Sequence, residues 1–130
     1  MGGATELGKI ELNDCDYSKA VKWFRKYAQN GYADAQNRLG VRYYKGQGLN
    51  KDFEKAFKWF IKAAQQGHVR AQTNIGICYY YGRGISTDYE KSKKWLRKAS
   101  NQGYEPASSI LSKWYKEGNN NYSKALIKDI

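Results

Sequence analysis

His68 is the one histidine in the chain, and a lone imidazole works as an acid, a base or a metal ligand only with partners held beside it. No His-x-x-x-His, Ser-x-x-Lys or clustered carboxylate pair occurs. His68 falls instead at an offset where Tyr32 and Tyr104 stand, which marks it as a packing residue at a helix start. Cys15 and Cys78 lie 63 residues apart, in neither a metal nor a redox spacing, and read as two unrelated thiols. The runs Gly46-Gln47-Gly48 and Gly82-Arg83-Gly84 lack the third glycine and the strand-then-helix setting of a dinucleotide loop, so they read as turns. No catalytic residue, metal site or cofactor is expected, and the chain reads as non-enzymatic.

Charge offers a second kind of chemistry. The formal net charge is +11, and the first sixteen residues are acidic (Glu6, Glu11, Asp14 and Asp16 against Lys9), so the basic charge falls on the rest. Such a body favours acidic partners. In "KAFKWFIKAAQQG", residues 55–67, Lys55, Lys58 and Lys62 surround Trp59. Cations around an indole could grip single-stranded nucleic acid, by phosphate pairing and base stacking. They could equally form a solvated wall whose aliphatic stems cover apolar surface.

What must position these residues is a repeat. Trp23, Trp59 and Trp95 are 36 apart, as are Gly31, Gly67 and Gly103, and Asp16, Asp52 and Asp88. Laying residues 32–67 over 68–103 gives 16 identities in 36 positions without a gap. Each unit reads as two helices. The first, about 32–45, places Ala35, Leu39 and Tyr43 at helical spacing and stops at glycines that accept positive φ. The second starts from an aspartate N-cap, carries the apolar stripe Ala56, Trp59, Phe60 and Ala63, and ends at Gly67. The tryptophans are expected to pack between helices. Cys78 and Trp114, at the position of Arg42, are expected partly buried between units. A stack of such units is an all-α solenoid of antiparallel helix pairs.

The chain's 130 residues suit one domain, here read as a shortened unit 4–31, units 32–67 and 68–103, and a partial unit 104–130 with a short last helix at 122–130. No apolar run is long enough for a membrane span, and the start lacks the regions of a signal peptide. A cytoplasmic place is the expectation, with a secreted or periplasmic one open if a leader has been removed.

At these residues the chain resembles the Sel-one-like repeat (SLR) family, relatives of the tetratricopeptide repeats. "AQNRLGVRYYKGQGLNKDFEKAFKWFIKAAQQG" follows the family pattern nearly throughout, and "AQTNIGICYYYGRGISTDYEKSKKWLRKASNQG" departs from it by conservative swaps. The shortened first unit looks more like a tetratricopeptide repeat. The resemblance implies a right-handed α-solenoid in which the first helix of each pair lines a concave groove.

Tetratricopeptide groove positions fall here on Asn37, Val41, Tyr44 and Lys45, then on Arg70, Thr73, Ile77, Tyr80 and Tyr81. In the last unit they fall on Pro106, Ser109, Lys113, Lys116 and Glu117. Tyr81, in place of Lys45 and Glu117, is the first choice for a binding anchor. The resemblance implies an adaptor or scaffold binding a protein or peptide partner with an acidic surface. Two alternatives are an immunity-type protein that neutralises a toxin or effector, and a basic RNA or single-stranded DNA binder. A third is self-association through an end repeat. The disulfide in each repeat that some members carry has no cysteines here.

Overall fold

The computed structural model describes residues 14–116. The expected last helix at 122–130, the groove position at Glu117 and the start of the shortened unit 4–31 lie outside them. Six helices follow in order: α1 (Asp14–Gln29), α2 (Ala33–Lys45), α3 (Phe53–Gln65), α4 (Val69–Tyr81), α5 (Tyr89–Asn101) and α6 (Glu105–Tyr115). Each packs on its chain neighbours, α1 on α2 and so on to α6, through joints of three to seven residues. No strand occurs among the described residues. The chain is an all-α solenoid.

Local signals place the ends. The Asp52 and Asp88 carboxylates each accept the backbone N–H three residues on, at 3.0 Å, and so cap α3 and α5. Asp16, at the same offset, lies within α1 as described, Asp14–Gln29. Gly46 and Gly82, at φ 69° and 70°, close α2 and α4 in the left-handed conformation. His68 caps α4: its Nδ1 accepts the Ala71 N–H at 3.2 Å. That leaves Nε2 as the protonated nitrogen, which donates toward Asp34 Oδ1 at 3.3 Å.

The core is a chain of three clusters. Val21, Ala28, Ala35 and Leu39 form the first; Ala56, Phe60, Ala63, Ala64, Ala71, Ile75 and Cys78 the second; Leu96, Ala99, Ala107 and Leu111 the third. Phe60 and Leu96 are the pivots, sealed at 1% and 0% exposure. Each sits against a glycine: a Cβ added at Gly40 would lie 2.6 Å from Phe60, and one at Gly76 would lie 2.6 Å from Leu96. Glycine at that point lets the two helices of a pair close on a bulky residue.

The tryptophans are not that core. Trp23 is 59% exposed, and Trp59 and Trp95 are half-buried. Trp59 packs on the first cluster and Trp95 on the second. One residue earlier on the helix than Phe60 or Leu96, each is turned about 100° away, toward the unit before its own. No preceding unit stands among the described residues for Trp23 to meet. It stacks on Tyr27 instead, with ring centres 6.0 Å apart.

Glutamines stitch the joints. Buried Gln36 donates from Nε2 to the Ala28 carbonyl (3.2 Å), and Gln66 donates to Gln36 Oε1 (2.9 Å). One unit on, Gln72 donates to the Ala64 carbonyl (3.2 Å) and Gln102 to Gln72 Oε1 (2.9 Å). In the last joint Ser100 and Ser108 take over, with their hydroxyls 2.6 Å apart.

Candidate functional site

The face built by α2 and α4 carries a recess of about 120 Å³ lined by Val41, Tyr44, Lys45, Phe60, Asn74 and Ile77. Val41 and Ile77 are repeat equivalents on successive first helices, so the repeat itself sets them side by side. Phe60 forms the floor, Asn74 and Lys45 the polar edge. Four of the expected groove residues therefore meet at one place: Val41, Tyr44, Lys45 and Ile77.

Asn37 and Thr73 do not join them. Both are buried, at 6% and 5% exposure, and both spend their polar atoms inside. Thr73 Oγ1 donates to the Val69 carbonyl (2.9 Å), while Asn37 Oδ1 accepts from Asn74 Nδ2 (2.9 Å). The true edge position is one residue later, at Asn74. These two expected groove positions are therefore interior, because equivalence to another repeat family does not set the rotation of a helix about its axis.

Tyr80 is half-buried and holds the solenoid together. Its ring stacks on Trp114 at 3.8 Å with a 16° interplanar angle and meets Tyr81, Tyr89 and Tyr115 edge-on. Tyr81 is 50% exposed, with its ring edge-on to Tyr80 and Trp114. Arg70 and Lys113 are exposed helix residues outside the recess. Lys116 is not on a helix face at all: at φ 57° it is the left-handed cap of α6, which ends before the residue equivalent to the Gly46 and Gly82 stops.

Arg83 is the residue that sequence reading missed. Its guanidinium lies 4.3 Å from the Tyr81 ring centre and 5.6 Å from those of Tyr44 and Phe53. It also donates a short hydrogen bond to the Tyr44 hydroxyl. That contact raises its already high pKa, so it stays charged at every ordinary pH. A "GRG" turn gives no hint of this, since the rings come from three helices, Tyr44 of α2, Phe53 of α3 and Tyr81 of α4, and meet around the loop only in the packed fold. In the preceding unit Gln47 holds the equivalent place, and Arg42 supplies the guanidinium over Tyr17 at 5.0 Å.

The second helices α1, α3 and α5 carry the lysines. Lys19, Lys55 and Lys91, with Lys22, Lys58 and Lys94 and with Lys26, Lys62 and Lys98, are all exposed. Five of the ammonium groups hang over rings: Lys26 over Trp23 (5.9 Å), Lys62 over Trp59 (5.9 Å), Lys98 over Trp95 (5.6 Å), Lys55 over Tyr43 (5.7 Å) and Lys91 over Tyr79 (5.8 Å). Stems covering half-buried aromatics with the charge in water is the arrangement of an outer wall.

Reactive chemistry is sparse. Burial pushes the Cys78 thiol up to about 12, and its side chain is fully enclosed. The Arg38 guanidinium at 2.8 Å, with His68 beside it, holds the Asp34 carboxyl below its ordinary range. Among the described residues no group of three or more His, Cys, Asp or Glu could hold a metal, and no helix is long and apolar enough to cross a membrane.

The family model described as Sel1 repeat matches residues 7–32, 33–68 and 69–104. Three solved structures are similar. A protective antigen of uropathogenic Escherichia coli with an SLR fold is 37% identical at TM-score 0.74, covering 78% of this chain and 22% of that one. A Sel1 repeat protein of Oxalobacter formigenes is 31% identical at 0.75, with coverage of 81% and 30%. Helicobacter pylori cysteine rich protein B is 25% identical at 0.69, with coverage of 85% and 82%. The chain thus spans less than a third of the first two. No curated protein matches it.

Proposed function

The chain belongs to the Sel1 repeat family, whose members are generally protein–protein interaction modules, and we propose that it holds a protein or peptide partner with an acidic surface in the groove between α2 and α4. The observation that carries this reading is the convergence of Val41, Tyr44 and Ile77 on one recess with Lys45 at its edge. An apolar pocket rimmed by a few polar groups suits a peptide side chain, with Tyr81 as an exposed anchor next to it. The partner's charge follows from complementarity to a body of net charge +11.

The test is affinity capture from cells, with the wild-type chain and a Tyr81→Ala, Lys45→Glu variant as baits. Both substituted side chains are exposed, so the variant should melt with the wild type. A protein held by the wild type and lost by the variant supports the groove. Equal capture by both baits, or loss only when the outer lysines are neutralised, moves the site elsewhere.

A second reading rests on the exposed lysines over aromatic rings: an anionic polymer such as single-stranded RNA lying along the outer wall. Gel shift across a salt series separates the two, because phosphate binding weakens by about 0.7 log units per phosphate for each log unit of salt.

A further inference from the structure

Arg83 has the attributes of a recognition residue rather than of a turn. A guanidinium offers five N–H donors in a rigid fork. One of them is spent on the Tyr44 hydroxyl. The rings of Tyr44, Phe53 and Tyr81 hold the group in place, and among the described residues no carboxylate forms an ion pair with it. The side chain is half-buried, so its position is fixed while part of it faces water.

Such a group is already desolvated on its faces and ordered before any partner arrives. It therefore loses less on pairing than a free surface lysine would. Tyr44 is shared: it lines the apolar recess and also takes the Arg83 hydrogen bond. The charged point and the apolar hole are thus neighbours with one residue between them.

We propose that Arg83 is the carboxylate-recognising residue of this groove, pairing with an acidic side chain of an extended partner peptide while an adjacent aliphatic side chain fills the recess. The proposal rests on the groove reading above and names the chemistry that the groove selects. A recess of about 120 Å³ equals about four waters at roughly 30 Å³ each, enough for one branched aliphatic side chain. The fork geometry favours a carboxylate over a neutral amide.

The test uses an N-acetylated, C-amidated peptide alternating glutamate and leucine, and the same peptide with glutamine at every glutamate. Calorimetric titration gives affinity, and nitrogen-15 NMR of the protein gives location. Arg83→Gln is the central variant, and it should fold because Gln47 already occupies the equivalent place one unit earlier. Arg83→Lys keeps the charge but loses the fork. The glutamate peptide should bind the wild type and shift the Arg83 side-chain N–H signal together with Val41 and Ile77. Both variants should weaken it about tenfold or more, and the glutamine peptide should not distinguish wild type from variant.

Unchanged affinity in Arg83→Gln overturns the proposal, as does the absence of saturable binding by the glutamate peptide. If Val41 and Ile77 still shift while Arg83→Gln has no effect, the groove stands and only the role of Arg83 falls. Shifts confined to the outer lysines sink both.

Discussion

Gly40→Ala puts the close approach of α2 to Phe60 to a quantitative test. The added methyl would lie 2.6 Å from both Cδ1 and Cε1 of Phe60, with the Ala56 carbonyl at 3.2 Å. Carbon pairs rest at about 3.5–4.0 Å, so α2 and α3 must part by about 1 Å or the ring must leave its rotamer. Phe60 is 1% exposed, and the ring has little room to turn. Overpacking of this kind costs about 1–3 kcal/mol, and the rigid ring argues for the upper half. Against it stands a helix-propensity gain of about 1 kcal/mol for alanine over glycine. The net expectation is a loss of about 1–2 kcal/mol. For a domain of this size that lowers the melting temperature by roughly 4–9 °C.

Urea unfolding followed by circular dichroism measures it, with an unchanged m-value required. The decisive control is Phe60→Ala, which alone should cost about 3–5 kcal/mol. In that background the new methyl meets a cavity instead of a ring, and Gly40→Ala should become neutral or stabilising. A Gly40→Ala chain more stable than wild type would refute the reasoning. So would a penalty that persists without the ring.

The remaining expectations concern the caps and the buried thiol. Asp52→Ala should cost about 1 kcal/mol in urea unfolding, because the Lys55 N–H loses its acceptor, and Asp52→Asn should recover most of it. Lys116→Gly should stabilise by about 1 kcal/mol, since a side chain in the left-handed region is strained there; no gain would mean that the cap relaxes in solution. In a Cys15→Ser background, the Cys78 thiol should resist a disulfide reagent at pH 8 in the folded chain and react at once in denaturant. Its folded pKa is raised, so the stability it contributes is full below about pH 9 and is lost as pH climbs toward 12; Cys78→Ala should flatten that alkaline decline.

Much of the fold was legible because the repeat supplied it several times over. Asp52 and Asp88 cap as their offset required, and Gly46 and Gly82 stop the helices where glycines were set. Failures occurred where the outcome depends on what lies across the joint. Trp59 and Phe60 sit side by side in one apolar stripe, and only the helix facing each decides which is sealed. Trp23 shares every local feature of Trp59 yet faces water, because position in the stack is not written in the unit. Of the residues expected in a groove, Val41, Tyr44 and Ile77 line one recess, while Asn37 and Thr73 are interior, where a one-residue rotation turns a surface into an interior. Arg83 was hidden because a turn residue's surroundings come from tertiary packing.

The glutamine stitching makes the joint between units interchangeable. Each unit presents a carbonyl at the end of its second helix and receives a glutamine from the next. A second copy of residues 32–67 spliced in after Gly67 would find the Ala64 carbonyl waiting and would offer its own to His68 onward. The molecule can therefore lengthen by tandem duplication without inventing an interface, as long as the splice falls before Ser108, where the glutamine gives way to serine. Length, and with it the number of first helices set side by side, is a trait that such a gene can change in one recombination step.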